Sequence, residues 1–164
     1  MVRQCQEGTG SPSAAQLAGE AVAAAKHFGN TTQAANANAI YVVTSATKTH
    51  PDGFPGSGFC AWHDFTSSSF GNLAFVNQPY VPDLGAGACT TLGGSRLLNG
   101  YESTLTHEYA EAVTDLWPAR GWNGGNGEIG DACQNLDRLA VLTTGTFDLQ
   151  GLWSNSANRC TTTG

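Results

Sequence analysis

Between Gly100 and Leu116 the residues keep helical periodicity, and Pro118 sets the limit of the run. Leu105, Tyr109, Ala112 and Leu116 form an apolar row; His107, Glu111 and Asp115 occupy an i, i+4, i+8 row on another face. Any fold for this chain has to bury the first row and give the second a reason to be there. Only 12% of the residues are charged, so three ionisable groups within five positions, His107, Glu108 and Glu111, are a local concentration.

A second helix is predicted over 13–28. It carries Leu17, Ala21, Ala24 and Phe28 on one stripe, Ser11 or Ser13 as its cap and Gly29-Asn30 as its stop. NAIYVVTS, residues 38–45, has the composition of a buried strand, and the loop KTHPDGFPGSG follows it. FCAWHDF comes next, then the strand-like NLAFVNQPYV, where Pro79 predicts an edge or a strand end. Five glycines make most of residues 83–100 a loop. RLAVLTTGTFDLQGLW reads either as two short strands around Thr144-Gly145 or as a helix end and a turn. The expectation is an α+β fold: residues 1–12 a flexible lead-in, residues 13–164 one domain of a size that supports a core.

Thirteen acidic residues against seven basic give a formal net charge of -6. Such a surface repels phosphates and anionic membranes, so no nucleic-acid partner is expected. No segment approaches the roughly 20 apolar residues of a membrane span, so no membrane insertion is expected either. MVRQC is not followed by a signal-peptide core. Five cysteines fit an oxidising compartment better than the cytoplasm. Cys60, Cys89, Cys133 and Cys160 can form two bridges of undetermined pairing, Cys5 is the odd one, and with neither a CxxC pair nor a regular thiolate cluster no cysteine-bound zinc is expected.

Side chains four apart on a helix stand one above the other, so His107 and Glu111 can approach one metal ion, while Glu108 can approach a water on it. The competing reading is an ordinary solvated helix face. A metal site needs a third ligand, and GEIGD offers Glu128 and Asp131. One assignment makes Glu128 the ligand and lets Asp131 orient His107 through its other ring nitrogen; the reverse is open, as is a helix-capping Glu128 with Asp131 at the surface. His63, on a loop held by Cys60, can bond a developing oxyanion, act as an extra ligand or be structural. Asp115, near a helix C-terminus, needs a backbone or cation partner. A calcium cage from Asn123, Asn126, Glu128 and Asp131 is a further option.

FCAWHD, AFVNQPYVPDLGAGAC, THEYAEAVTD, GWNGGNGEIGDAC and LWSNSANRC follow one another in an order and spacing that resembles the phosphate-induced, EXORDIUM-like proteins and their secreted bacterial relatives. The resemblance covers about residues 36–160 and departs at the beginning of the chain and after Cys133. It implies a zincin-like domain, with a twisted mixed sheet packed on an N-terminal helix and a metal-binding active-site helix. The function it implies is a secreted, monomeric, zinc-dependent endopeptidase acting on peptide or protein substrates. His107, Glu111, Glu128 and Asp131 would form the metal site, with Glu108 and His63 catalytic and Glu108 activating the metal-bound water. Asn77, Tyr109 and the strand at 72–81 are candidates for substrate contact, Tyr109 being assigned more readily to the core. The alternatives are a noncatalytic extracellular module with a closed zinc or structural calcium site, and metal-free glycoside hydrolysis with Trp117 and Trp122 stacking on sugar.

Overall fold

The computed structural model describes residues 10–162, together with the backbone of residues 2–4. Val2–Gln4 form strand β1, paired parallel to β2, Ile40–Thr44. The carbonyls of Gly10 and Pro12 accept from the backbone amides of His50 and Asp52, so the described parts of the lead-in are attached rather than loose. Cys5 lies outside the described residues.

Helix α1 spans Ala14–His27. Of the two candidate caps the structure uses Ser13: its hydroxyl accepts from Gln16 N, while the Gln16 side chain accepts from Ser13 N at 2.9 Å. Gly29, at φ 75, closes the helix in the left-handed region that glycine adopts without a Cβ penalty. The small residues Ala21, Ala24 and Ala25 let α1 sit close on the sheet, where Leu17 meets Tyr41, Val43, Leu73 and Phe75. A short helix α2, Gln33–Asn36, leads into β2.

Strand β3, Trp62–Ser68, turns back antiparallel into β4, Gly71–Gln78, and the sheet order is β1-β2-β4-β3. β4 therefore has a neighbour on each side. Pro79 marks a strand end and not an edge, and the antiparallel edge strand is β3. His63 thus sits on a strand, correcting the loop expected for it.

Strand alternation sorts the side chains between the two faces of the sheet. Trp62, Leu73, Phe75 and Asn77 share the α1 face, with the Trp62 and Phe75 rings edge to face at 5.5 Å. His63, Ala74, Val76 and Gln78 share the other face, where Gln78 Nε2 donates to Thr104 Oγ1 at 3.1 Å on helix α3, Asn99–Thr114. Asn77 points away from α3 and is fully buried, which removes it as a substrate contact.

α3 presents its polar side to the interior. Ser103, Thr104, Glu108, Glu111 and the C-cap Asp115 are all buried. Ala112 is buried as expected of the apolar row, but Tyr109 is 54% exposed and is not core. With Val113 it borders an open apolar groove of about 920 Å³. The polar side can go inward because partners meet it there: Ser103 Oγ donates to Asp137 at 2.6 Å, and Asp115 accepts from the amides of Ala119, Arg120 and Gly121. Asp115 therefore anchors the following loop.

Residues 137–150 form the two-strand option: β5, Asp137–Leu142, and β6, Gly145–Gln150, joined at Thr143-Thr144 and packed along α3. A small hairpin, β7, Leu152–Ser154, and β8, Arg159–Thr161, follows. Among the described residues, disulfides join Cys60 to Cys89 and Cys133 to Cys160. The first ties the glycine-rich loop to the entrance of β3, three residues from His63. The second ties β8 to the turn that carries Asp131. The whole is one α+β domain, a mixed sheet with α1 on one face and α3 on the other. No described helix is long and apolar enough to cross a membrane.

Candidate metal centre

Three elements converge beneath α3. β3 delivers His63 from the face turned towards the helix; α3 contributes His107, Glu108 and Glu111; the loop before Cys133 brings Glu128 and Asp131. The i, i+4 spacing places His107 Nε2 at 3.1 Å from Glu111 Oε1. That oxygen also accepts from Gly130 N at 3.2 Å and Asp131 N at 2.9 Å, which docks the loop on the helix. Gly130 is required for the approach, because a Cβ there would stand 2.9 Å from both Glu111 Oε1 and His107 Nδ1.

The ligand-type atoms fall into two groups. His107, Glu111 and Asp131 form one, His63, Glu111 and Glu128 the other, each with its atoms within 4.8 Å of one another. His107 Nε2 lies 3.6 Å from Asp131 Oδ1, and His63 Nε2 lies 3.4 Å from Glu128 Oε1. His63 Nδ1 faces Glu108 Oε2 at 3.4 Å and Glu111 Oε2 at 3.6 Å. His63 Nε2 and Glu128 Oε1 are both buried, and neither has a hydrogen-bond partner among the described residues, since their mutual geometry is unsuited to one. When Nδ1–H donates to Glu108 and Glu128 is ionised, His63 Nε2 and Glu128 Oε1 face each other as two buried lone pairs, a costly arrangement unless a further group satisfies them. A hard or borderline divalent cation meets that demand, and imidazole with carboxylate oxygen is a zinc-type donor set. Both clusters can coordinate a metal ion.

The solvated-face reading of the helix fails here, because the Glu111 side chain is only 4% exposed. All six residues proposed from the sequence for the centre come together. Asp131 and Glu128 divide between the two histidines, with Asp131 on the His107 side. The orienting contact on His107 belongs instead to Gln150, whose Oε1 lies 3.0 Å from Nδ1 while its Nε2 donates to the Gly130 carbonyl at 2.9 Å. With Nδ1–H donating to Gln150, the proton that must leave before a metal binds is the one on Nε2, which faces Glu111 and Asp131. Sequence reasoning missed Gln150, an uncharged residue 43 positions away; its one local signal is that it alternates with Asp148 on the same face of β6. Asn123 and Asn126 are exposed, while Glu128 and Asp131 face His63 and His107.

The cluster alters its own protonation. Burial opposes a charge on His107, but the Glu111 hydrogen bond, the charges of Glu108 and Glu111 and the Gln150 contact outweigh it and carry its pKa up to about 9. Burial raises Glu128 to about 7, helped by negative Glu111, Asp115 and Asp131 and opposed by His63. Both groups must lose their protons before ligating a metal. Metal affinity is therefore expected to rise with pH by about tenfold per unit for each proton displaced, most steeply below about 7, less steeply from there to about 9, and to level off above. Titration calorimetry in buffers of different ionisation enthalpy reads the released protons directly, and an affinity flat across this range contradicts the assignment.

A cleft of about 560 Å³ opens on His107, Glu108 and Asp131, walled by Phe59, Thr91 and the Cys60–Cys89 bridge. The centre is thus buried on the sheet side and accessible from this cleft. Compared with protein-family models, with curated proteins and with solved structures, the chain gives no match.

Proposed function

We propose that the chain is a zinc-dependent endopeptidase of the extracellular space, with His107, Glu111 and Asp131 holding the ion and Glu108 acting as general base. The observation that carries this reading is the inward-turned ionisable row of α3, which puts a histidine and a carboxylate one turn apart beside a glutamate lining an open cleft. Zinc held there supplies Lewis acidity towards a peptide carbonyl and makes water easier to deprotonate at neutral pH.

The protein's own groups supply the remaining steps. Glu108, one residue round the helix from His107, takes a proton from the attacking water and returns it to the departing amine. His63 Nδ1, 3.4 Å from Glu108 Oε2, holds that carboxylate in one orientation. Gln150 fixes the His107 ring, and the Gly130 and Asp131 amides fix Glu111. The two disulfides bracket the loops that carry the cleft and support an oxidising, secreted setting. Kinship with the phosphate-induced, EXORDIUM-like proteins belongs to the same proposal and rests on the order of the sequence motifs.

Elemental analysis after gentle purification is expected to find zinc in the protein. Removing it with a strong chelator should abolish hydrolysis of an unfolded protein substrate such as casein, and added zinc should restore it. Peptide cleavage by the fully metal-free protein rules the reading out, and bound zinc without any cleavage points to the noncatalytic alternative.

A further inference from the structure

The donor set beneath α3 is too large for one tetrahedral zinc. Two imidazoles and four carboxylates surround the site, whereas a single catalytic zinc takes three protein ligands and leaves one position open. They also divide with a regularity that one ion does not explain. Each group consists of one histidine, one carboxylate from the 128–131 loop and Glu111, which is the residue they share.

Both histidines are presented alike. Nδ1 of His107 meets Gln150 at 3.0 Å and Nδ1 of His63 meets Glu108 at 3.4 Å, so each ring has a partner for a donated proton and turns Nε2 to its own loop carboxylate. That is how ligating histidines are held. Glu111 reaches both sides: Oε1 lies 3.1 Å from His107 Nε2, and Oε2 lies 3.6 Å from the Nδ1 edge of the His63 ring, with ligand atoms of His63, Glu111 and Glu128 all within 4.8 Å of one another. On the His63 side the demand for an ion is most direct, since His63 is 4% exposed at its side chain and its Nε2, like Glu128 Oε1, has no hydrogen-bond partner among the described residues.

We propose that this centre takes two divalent cations of the zinc class, one held by His107 and Asp131, the other by His63 and Glu128, with Glu111 as the bridging carboxylate. The inference rests on the metal-dependent reading above and deepens it. A pair of ions about 3.5–4 Å apart would clamp a carbonyl and a water together. His63 and Glu128 then become ligands of a second ion.

The test is stoichiometry. Metal-free protein titrated with zinc, then freed of loosely held ion by gel filtration, is expected to retain about two equivalents per chain. His63→Ala and Glu128→Gln should each retain one, His107→Ala and Asp131→Asn should each retain one, and Glu111→Gln should weaken both. In the cobalt-substituted wild type, the paramagnetic resonance signal of the first equivalent should be attenuated when the second binds, as expected of ions coupled through a shared carboxylate. Saturation of the unaltered protein at one equivalent overturns the proposal, and needs no variant that must fold. So does a second equivalent that survives in both His63→Ala and Glu128→Gln, because it then lies elsewhere. In either case, chelator-sensitive cleavage by the protein with one ion leaves the peptidase reading standing. Retention of no metal at all removes both.

Discussion

Glu108→Gln is expected to lower kcat/KM on an extended fluorogenic peptide by about 100- to 10,000-fold, the range usual for a lost general base, while the metal content stays at the wild-type level. Glutamine keeps the shape of the side chain at a site only 6% exposed, and its amide oxygen can still accept from His63 Nδ1. What it loses is the ability to take a proton at neutral pH. Parallel measurements of turnover and bound zinc separate this effect from a collapsed site. Undiminished peptidase activity in this variant would remove Glu108 from the proposed role.

Glu111→Ala is expected to abolish both metal retention and cleavage, with zinc affinity reduced by more than about 100-fold, since even supporting residues outside the ligand set cost 10- to 100-fold. Glu111 belongs to both ligand groups and is 3% exposed. It also accepts from the amides of Gly130 and Asp131, so alanine would leave one buried and one half-buried donor unpaired beneath the loop. Each unsatisfied donor costs about 1–3 kcal/mol, and each kcal/mol lowers the melting temperature of a chain this size by about 2–4 °C. The metal-free variant should therefore melt below metal-free wild type, which removes the lost ion as the explanation. Wild-type zinc affinity in Glu111→Ala would exclude it as a ligand.

Local periodicity located α1, β2, β4 and α3, but not β3, where a loop was expected around His63. The first helix with Ser11 or Ser13 as its cap, the β2 and β4 strands and the helix from about Gly100 were legible because each is written in nearest-neighbour preferences: a capping serine, branched residues, a glycine stop, a proline limit. The ligand types were legible too, since His107, Glu108 and Glu111 share their helix at fixed offsets, and GEIGD is a rare acidic pair in a weakly charged chain.

The orientation of α3 was not legible. Apolar periodicity marks Tyr109 for the core, yet it is 54% exposed while Glu111 is buried. A polar side goes inward when partners distant in sequence satisfy it, and the amides of Gly130 and Asp131, the ring of His63 and the side chain of Gln150 do so here. The same limit applies to the role of Pro79, the direction of Asn77, the disulfide pairing and the division of Glu128 from Asp131. A helix or strand dictates which of its own side chains share a face. Which face meets which, and which carboxylate stands opposite which imidazole, depends on contacts 19 to 45 residues apart, and local preference holds no record of these.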